Sequence, residues 1–202
     1  KGKVKHMVTR QIFEDELNRL HSEIVRMGIA VENSIADVLT ALIERDAELA
    51  EKIIEGDDII DDMELKIEKM CLEIIARQQP VAKDLRDITS ALKLITDFER
   101  IADHAADISE KILELTEKDN VMVQHNLILM GEIAKEMIRG SLDAYVTRNL
   151  DTAKSVILKD DKVDLLYLEL KNDYVRLMGI DPGKIEQYVE LLLICKYFER
   201  IA

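Results

Sequence analysis

The sequence predicts an all-α protein built as a tandem repeat of two antiparallel three-helix bundles, and three observations predict it. Apolar residues recur at steps of three and four almost throughout, with no sustained alternation and no hairpin dipeptide. The composition is 48% hydrophobic with only 7 glycines, 2 prolines and 4% aromatics, which suits long helices with a buried core. The third observation is internal repetition. Phe98-Glu99-Arg100-Ile101-Ala102 returns 100 residues later as Phe198-Glu199-Arg200-Ile201-Ala202. Asp57-Asp58 with Asp61 returns 103 residues later as Asp160-Asp161 with Asp164, and Met27-Gly28 as Met130-Gly131. Three matches in one order at nearly one spacing mark a duplicated unit.

The first helix is predicted over about 12–44, carrying Leu17, Leu20, Ile24, Met27, Val31, Ile35, Val38 and Leu42 inward. Asp46 caps the second, whose core residues are Leu49, Ile53, Ile60, Met63, Ile67, Met70 and Ile74. Gln78-Gln79-Pro80 breaks it. The third places Leu85, Ile88, Leu92, Ile95, Phe98, Ala105, Ile108, Ile112 and Leu115 inward. Lys118-Asp119-Asn120 links the repeats. The second repeat gives helices over about 121–148 and 151–178, a break at Asp181-Pro182-Gly183, and a last helix from Lys184. Gly28 and Gly131, each inside a helix, read as points of close helix approach. The expected division is 1–6, a vector-derived tag preceding Met7; 7–118, the first repeat; and 119–202, the second. The third helix runs about 14 residues past its Phe-Glu-Arg-Ile-Ala, so the second repeat is expected to lack its C-terminal end.

A net charge of −13 excludes nucleic acid and anionic membrane surfaces as partners, because nothing here replaces phosphate counterions. No apolar run is long enough to insert in a membrane. Cys71 and Cys195 sit among apolar residues at non-equivalent places, which reads as buried reduced thiols and a cytoplasmic setting.

The chemistry is concentrated in carboxylates. Asp57 and Asp61 lie four apart on the second helix, and Glu99 and Asp103 four apart on the third, so each pair shares a face. If the two helices fold back about Gln79-Pro80, residues whose numbers sum to about 160 meet at one height. Asp61 with Glu99, and Asp57 with Asp103, both satisfy this. In the second repeat the same test about Asp181-Pro182 sets Asp164 opposite Glu199, and Asp160 opposite position 203, just past Ala202. Like charges at this spacing cost an isolated helix roughly 0.2–0.5 kcal/mol per pair, and a cation would convert that repulsion into coordination by oxygen ligands. The other reading is a solvated acidic face balanced by Lys52, Lys66, Arg100 and Arg200. His104 reads as solvent-facing. His21 and His125 lack partners at ligand spacing. No phosphate-cradling loop or nucleophile elbow is present.

Gly56-Asp57-Asp58 with Asp61, the run Gln79-Pro80-Val81-Ala82-Lys83-Asp84-Leu85-Arg86, and the twice-occurring Phe-Glu-Arg-Ile-Ala together resemble the PhoU family of phosphate-transport regulators. The resemblance covers essentially the whole chain. It implies two similar three-helix bundles that bind metal at Glu/Asp-x-x-x-Asp motifs, here Asp57, Asp61, Glu99, Asp103, Asp160, Asp164 and Glu199, with iron or zinc foremost and magnesium or manganese as further candidates. It implies a non-enzymatic, cytoplasmic negative regulator, a dimer, that contacts the ATPase subunit of the Pst phosphate transporter and a sensor histidine kinase, with Asp84 and Arg86 in the contact segment. The second repeat has Ile185-Glu186-Gln187 where the first has Asp84-Leu85-Arg86, so the repeats need not present equivalent partner surfaces. Two rival functions are a carboxylate-bridged di-metal enzyme, for which no Glu-x-x-His is present, and a metal-free helical scaffold.

Overall fold

A computed structural model describes residues 2–202, with side chains from Gln11 onward. The expectation that Lys1–His6 is a tag concerns side chains outside that set. Six long helices follow one another: α1 (Gly2–Glu44), α2 (Ala47–Gln78), α3 (Ala82–Thr116), α4 (His125–Thr147), α5 (Leu150–Ile180) and α6 (Ile185–Ile201), with one 3-10 turn, Pro182–Lys184, before α6. No strand occurs among the described residues. The all-α fold holds, in two sets of three helices.

Local chemistry sets the boundaries. Asp46 caps α2 with a carboxylate that accepts from the Leu49 N–H at 3.0 Å, as its sequence position predicts. Gln79 takes a left-handed φ of 46°, and Pro80 follows it, so α2 ends there. The second repeat uses the same device one step earlier than the sequence suggests. Asn149 accepts from the N–H groups of Asp151 and Thr152, and α5 opens at Leu150. α4 starts four residues later than expected, because Val121–Gln124 is not helical although Val121 itself is buried.

Within each repeat the helices pack on their sequence neighbours, and the repeats join through α1 against α4 and α3 against α6, leaving α2 and α5 on the outer flanks. A single apolar core results. The predicted inward residues are buried or packed against it, apart from Leu85 in the first turn of α3, which is 38% exposed. Cys71 and Cys195 are both free and fully buried.

The glycine reading is borne out by a reciprocal contact. A β-carbon on Gly28 would meet Leu142 Cδ2 at 2.9 Å and Phe98 Cε2 at 3.1 Å. One on Gly131 would meet Leu39 Cδ2 at 2.5 Å and Phe198 Cζ at 2.9 Å. Leu39 and Leu142 are themselves equivalent residues, 103 apart. Each repeated phenylalanine therefore packs on the glycine of its own repeat, while the leucine comes from the other. The glycines let α1 and α4 approach closely enough to fuse the two cores.

A further repeated pair went unread in the sequence: Arg45-Asp46 and Arg148-Asn149, again 103 apart. Both arginines sit at positive φ, 57° and 53°, immediately before a capping residue. Their side chains reach across the molecule. Arg45 donates to the carbonyls of Leu115 and Lys118 and to the Asn120 side chain, tying the α1–α2 corner to the linker between repeats. Arg148 pairs with Asp87 on α3 at 2.6 Å.

Candidate metal centre

α2 and α3 turn back on one another about Gln79-Pro80 and form the most extensive helix pair in the molecule. Their buried rows, Ile53, Ile60 and Ile67 on α2 with Ile95, Phe98 and Ala102 on α3, fix the rotation of both helices. That rotation brings the acids of the two helices to one groove. Asp57, Asp61 and Asp103 each offer a carboxylate oxygen, and the three oxygens lie within 4.8 Å of one another. Asp57 and Asp61 are half-buried, and Asp103 is exposed at the rim.

Two oxygens of the groove lack a hydrogen-bond donor. Asp57 Oδ1 and Asp61 Oδ1 are both buried, and neither has a hydrogen-bond partner. A buried carboxylate oxygen without a donor costs free energy, about 1–3 kcal/mol or more for a charged group. Of the basic residues that would balance a solvated acidic face, Lys52 and Lys66 are engaged elsewhere, while Arg100 still favours the ionised form of Glu99. Lys52 pairs with Glu48 at 2.7 Å, Lys66 with Glu23 at 2.7 Å, and Arg100 with Asp97 at 4.0 Å.

The electrostatics follow from this crowding. Partial burial, and then the charges of Asp103, Asp61 and Glu99, push the Asp57 carboxyl up to about 6. Glu99 is raised by partial burial and then by Asp103 and Asp61. Glu99 thus belongs electrostatically to the cluster, although the close oxygen trio is Asp57, Asp61 and Asp103. An all-oxygen, anionic donor set of this kind fits a hard or borderline cation such as Mg²⁺, Mn²⁺ or iron, and zinc also accepts carboxylates.

The second repeat differs. Asp160 is raised by burial and then by Asp164, Asp161 and Glu199, so these acids are neighbours. They do not converge as the first set does: Asp160 and Asp164 are exposed, and Glu199 is held by Lys196 at 2.5 Å. Among the described residues the close oxygen cluster is that of the first repeat alone.

His104 is not solvent-facing. Its side chain is 16% exposed, its Nδ1 lies 3.3 Å from Asp107 Oδ2, and its ring packs 5.5 Å from that of Tyr197 across the α3–α6 seam. Asp84 occupies the first turn of α3, half-buried, and Arg86 is exposed. Fifteen residues separate Asp84 from Glu99, about 22 Å along the helix, so segment and acidic groove are distinct surfaces. Glu190, which the sequence did not single out, is a buried acid on α6, with Lys111 of α3 at 3.6 Å.

With this architecture in hand, comparison with known proteins is specific. The family model for the PhoU domain matches residues 24–112 and again 127–202. The chain is 46% identical to the phosphate-specific transport system accessory protein PhoU homolog of Clostridium acetobutylicum, covering 96% of this chain and 89% of that one. It superposes on the crystal structure of PhoU from Pseudomonas aeruginosa with a TM-score of 0.90 at 34% identity, over 94% of this chain and 91% of that one. For the phosphate transport system regulatory protein PhoU from Streptococcus pneumoniae the TM-score is 0.80 at 28% identity, with 94% and 92% covered. A double match to the domain, a close relative over nearly the full length and two superposable structures agree: the chain belongs to the PhoU family.

Proposed function

We propose that this protein is a cytoplasmic accessory regulator of a phosphate-specific transport system, acting by protein contact and holding metal in the α2–α3 groove. The regulatory part is supported by the relatives, whose names describe accessory and regulatory proteins of phosphate transport. The observation that carries the metal part is the pair of buried, partnerless oxygens, Asp57 Oδ1 and Asp61 Oδ1, beside Asp103. Asp57, Asp61, Glu99 and Asp103 would hold the ion, iron or zinc first and manganese or magnesium next. A bound cation there would cancel the local charge and cross-link α2 to α3. Asp160, Asp164 and Glu199 would form a second, weaker site.

The partners in this reading are the transporter's ATPase subunit and a sensor histidine kinase, with negative regulation as the outcome. Asp84 and exposed Arg86, at the end of α3 remote from the groove, would form the contact. Two measurements test the reading separately. Element analysis of protein purified without chelator or nickel should find metal in the wild type and less of it in Asp57→Asn/Glu99→Gln; equal metal in both would remove the groove as the site. Arg86→Ala should weaken binding to the ATPase subunit about tenfold or more without loss of metal. Unchanged affinity would exclude that segment as the contact.

A further inference from the structure

The two acidic grooves differ most in a cation that the second one carries for itself. Lys196 lies one turn before Glu199 on α6, and its Nζ sits 2.5 Å from Glu199 Oε2. The same ammonium stands over the ring of Tyr167 on α5, 5.1 Å from its centroid. A carboxylate of α6 and an aromatic face of α5 thus hold one positive charge between them, through a charge-assisted hydrogen bond and a cation–π contact.

The first repeat shows what these positions do without a lysine. Aligned on the repeated Phe-Glu-Arg-Ile-Ala, Lys196 corresponds to Thr96, and 103 residues before Tyr167 stands Glu64. There a neutral hydroxyl faces the acid, Thr96 Oγ1 lying 3.4 Å from Glu64 Oε1. Burial, and then the charges of Asp103, Asp61 and Glu64, crowd Glu99, with Arg100 offsetting them in part. Two more lysines widen the contrast. Lys159 and Lys162 bracket Asp160 and Asp161, where α2 has Gly56 and Ile59 around Asp57 and Asp58. Lys159 is engaged by Glu136 on α4 at 2.7 Å. The second donor set therefore does not fit a metal as the first does: Asp160 and Asp164 are exposed, and Glu199 already has its cation.

We infer that Lys196 is the resident counter-ion of the second groove, joining α5 to α6 through Tyr167 and Glu199 as a metal would join α2 to α3. The contrast rests on the metal reading of the first groove proposed above, and it makes the two repeats unlike in kind. The α2–α3 pair takes its cation from solution; the α5–α6 pair carries its own. A metal entering the second groove must draw Glu199 away from Lys196 and then sit beside a positive charge. The second set is therefore weak by competition, and cation-dependent changes in this protein belong to the first repeat.

The test is manganese(II) binding to metal-stripped protein, followed by the electron paramagnetic resonance of the free ion. The wild type should show one tight class of site and a second at least about tenfold weaker. Lys196→Thr should tighten the second class about tenfold and leave the first unchanged. Thr96→Lys should act in reverse, weakening the tight class about tenfold, because the new ammonium lies one turn before Glu99. Thr96 is exposed and Lys196 half-buried, so both variants should keep the helicity of the wild type. A weak class indifferent to Lys196→Thr, or a tight class indifferent to Thr96→Lys, overturns the assignment. Protein that binds no manganese in any form removes the metal reading instead, and unfolding in chelator then judges the lysine alone. Lys196→Thr and Glu199→Gln should be coupled, the double variant's unfolding constant falling about threefold below the product of the single effects. Independent effects of the two changes overturn the counter-ion itself.

Discussion

Phe198→Ala is expected to destabilise the protein by about 3–5 kcal/mol, the usual cost of emptying a fully buried phenylalanine site. The ring sits where α6 meets α4, with Cζ 2.9 Å from where a β-carbon on Gly131 would stand, so the cavity would open at the seam joining the two repeats. Gly131→Ala fills the same space from the other side. Overpacking there should cost about 1–3 kcal/mol, partly offset by the roughly 1 kcal/mol that alanine gains over glycine in a helix. The two changes are coupled, because Phe198→Ala removes the rigid neighbour of the new methyl and leaves Leu39, whose flexible end can shift. Urea unfolding of both single variants and the double should therefore show a double loss smaller than the sum, by about 1 kcal/mol. Gly56→Ala is the control: nothing lies within 4 Å of its would-be β-carbon, and it should be neutral or mildly stabilising. Strict additivity of the Phe198 and Gly131 changes would mean that the ring does not set the approach of the helices.

That coupling was half legible in the sequence. The 103-residue offset exposed Gly28 and Gly131 as equivalent, and their place inside helices implied close approach. It did not reveal that each glycine faces a leucine of the opposite repeat, because α1 meets α4 only through tertiary packing. The acidic groove was legible for a similar reason. A hairpin with a sharp break fixes which residues share a height, and the apolar rows of α2 and α3 fix which way the acids turn. The second repeat broke that logic. Lys196, three residues before Glu199, captures its carboxylate, and a local pair of this kind is invisible to an argument built on height alone.

Other misses share one physical cause. Val121 is apolar and buried, so it reads as helical, yet it reaches the core from an irregular segment. Leu85 fits the α3 stripe but lies in its first turn and is 38% exposed. His104 reads as solvent-facing, and Glu190 is not singled out by the sequence at all. Both are enclosed at the seam where α3 meets α6, which helical periodicity cannot anticipate. Periodicity reports the helix and its own repeat; the packing between repeats decides which polar groups that packing covers.

The remaining large effect concerns proton and metal at Asp57. Its carboxyl is raised from the ordinary 3.8 to about 6, so the folded chain binds this proton more tightly than the unfolded one. A group of that kind contributes stability that is fully present below about pH 4 and is lost as pH rises through 6. Screening at a half-buried site limits the effect to about 1–2 kcal/mol. Glu99, shifted in the same direction, adds to it. In chelator, wild type should therefore lose stability relative to Asp57→Asn between pH 4 and pH 7.5, and the variant should be the more stable of the two at the upper end. Adding a divalent cation should reverse that order for the wild type, because the ionised carboxylates that repel one another are the ones that coordinate. At a free concentration 100 times its dissociation constant the gain is about 2.7 kcal/mol, and Asp57→Asn/Glu99→Gln should show little of it. Thermal unfolding across this pH range, with and without manganese, iron(II) or zinc, separates the two readings of the groove. A wild type that tracks its Asp57→Asn variant at every pH and gains nothing from any cation would have solvated, balanced acids there, and the two partnerless oxygens would then be satisfied by water.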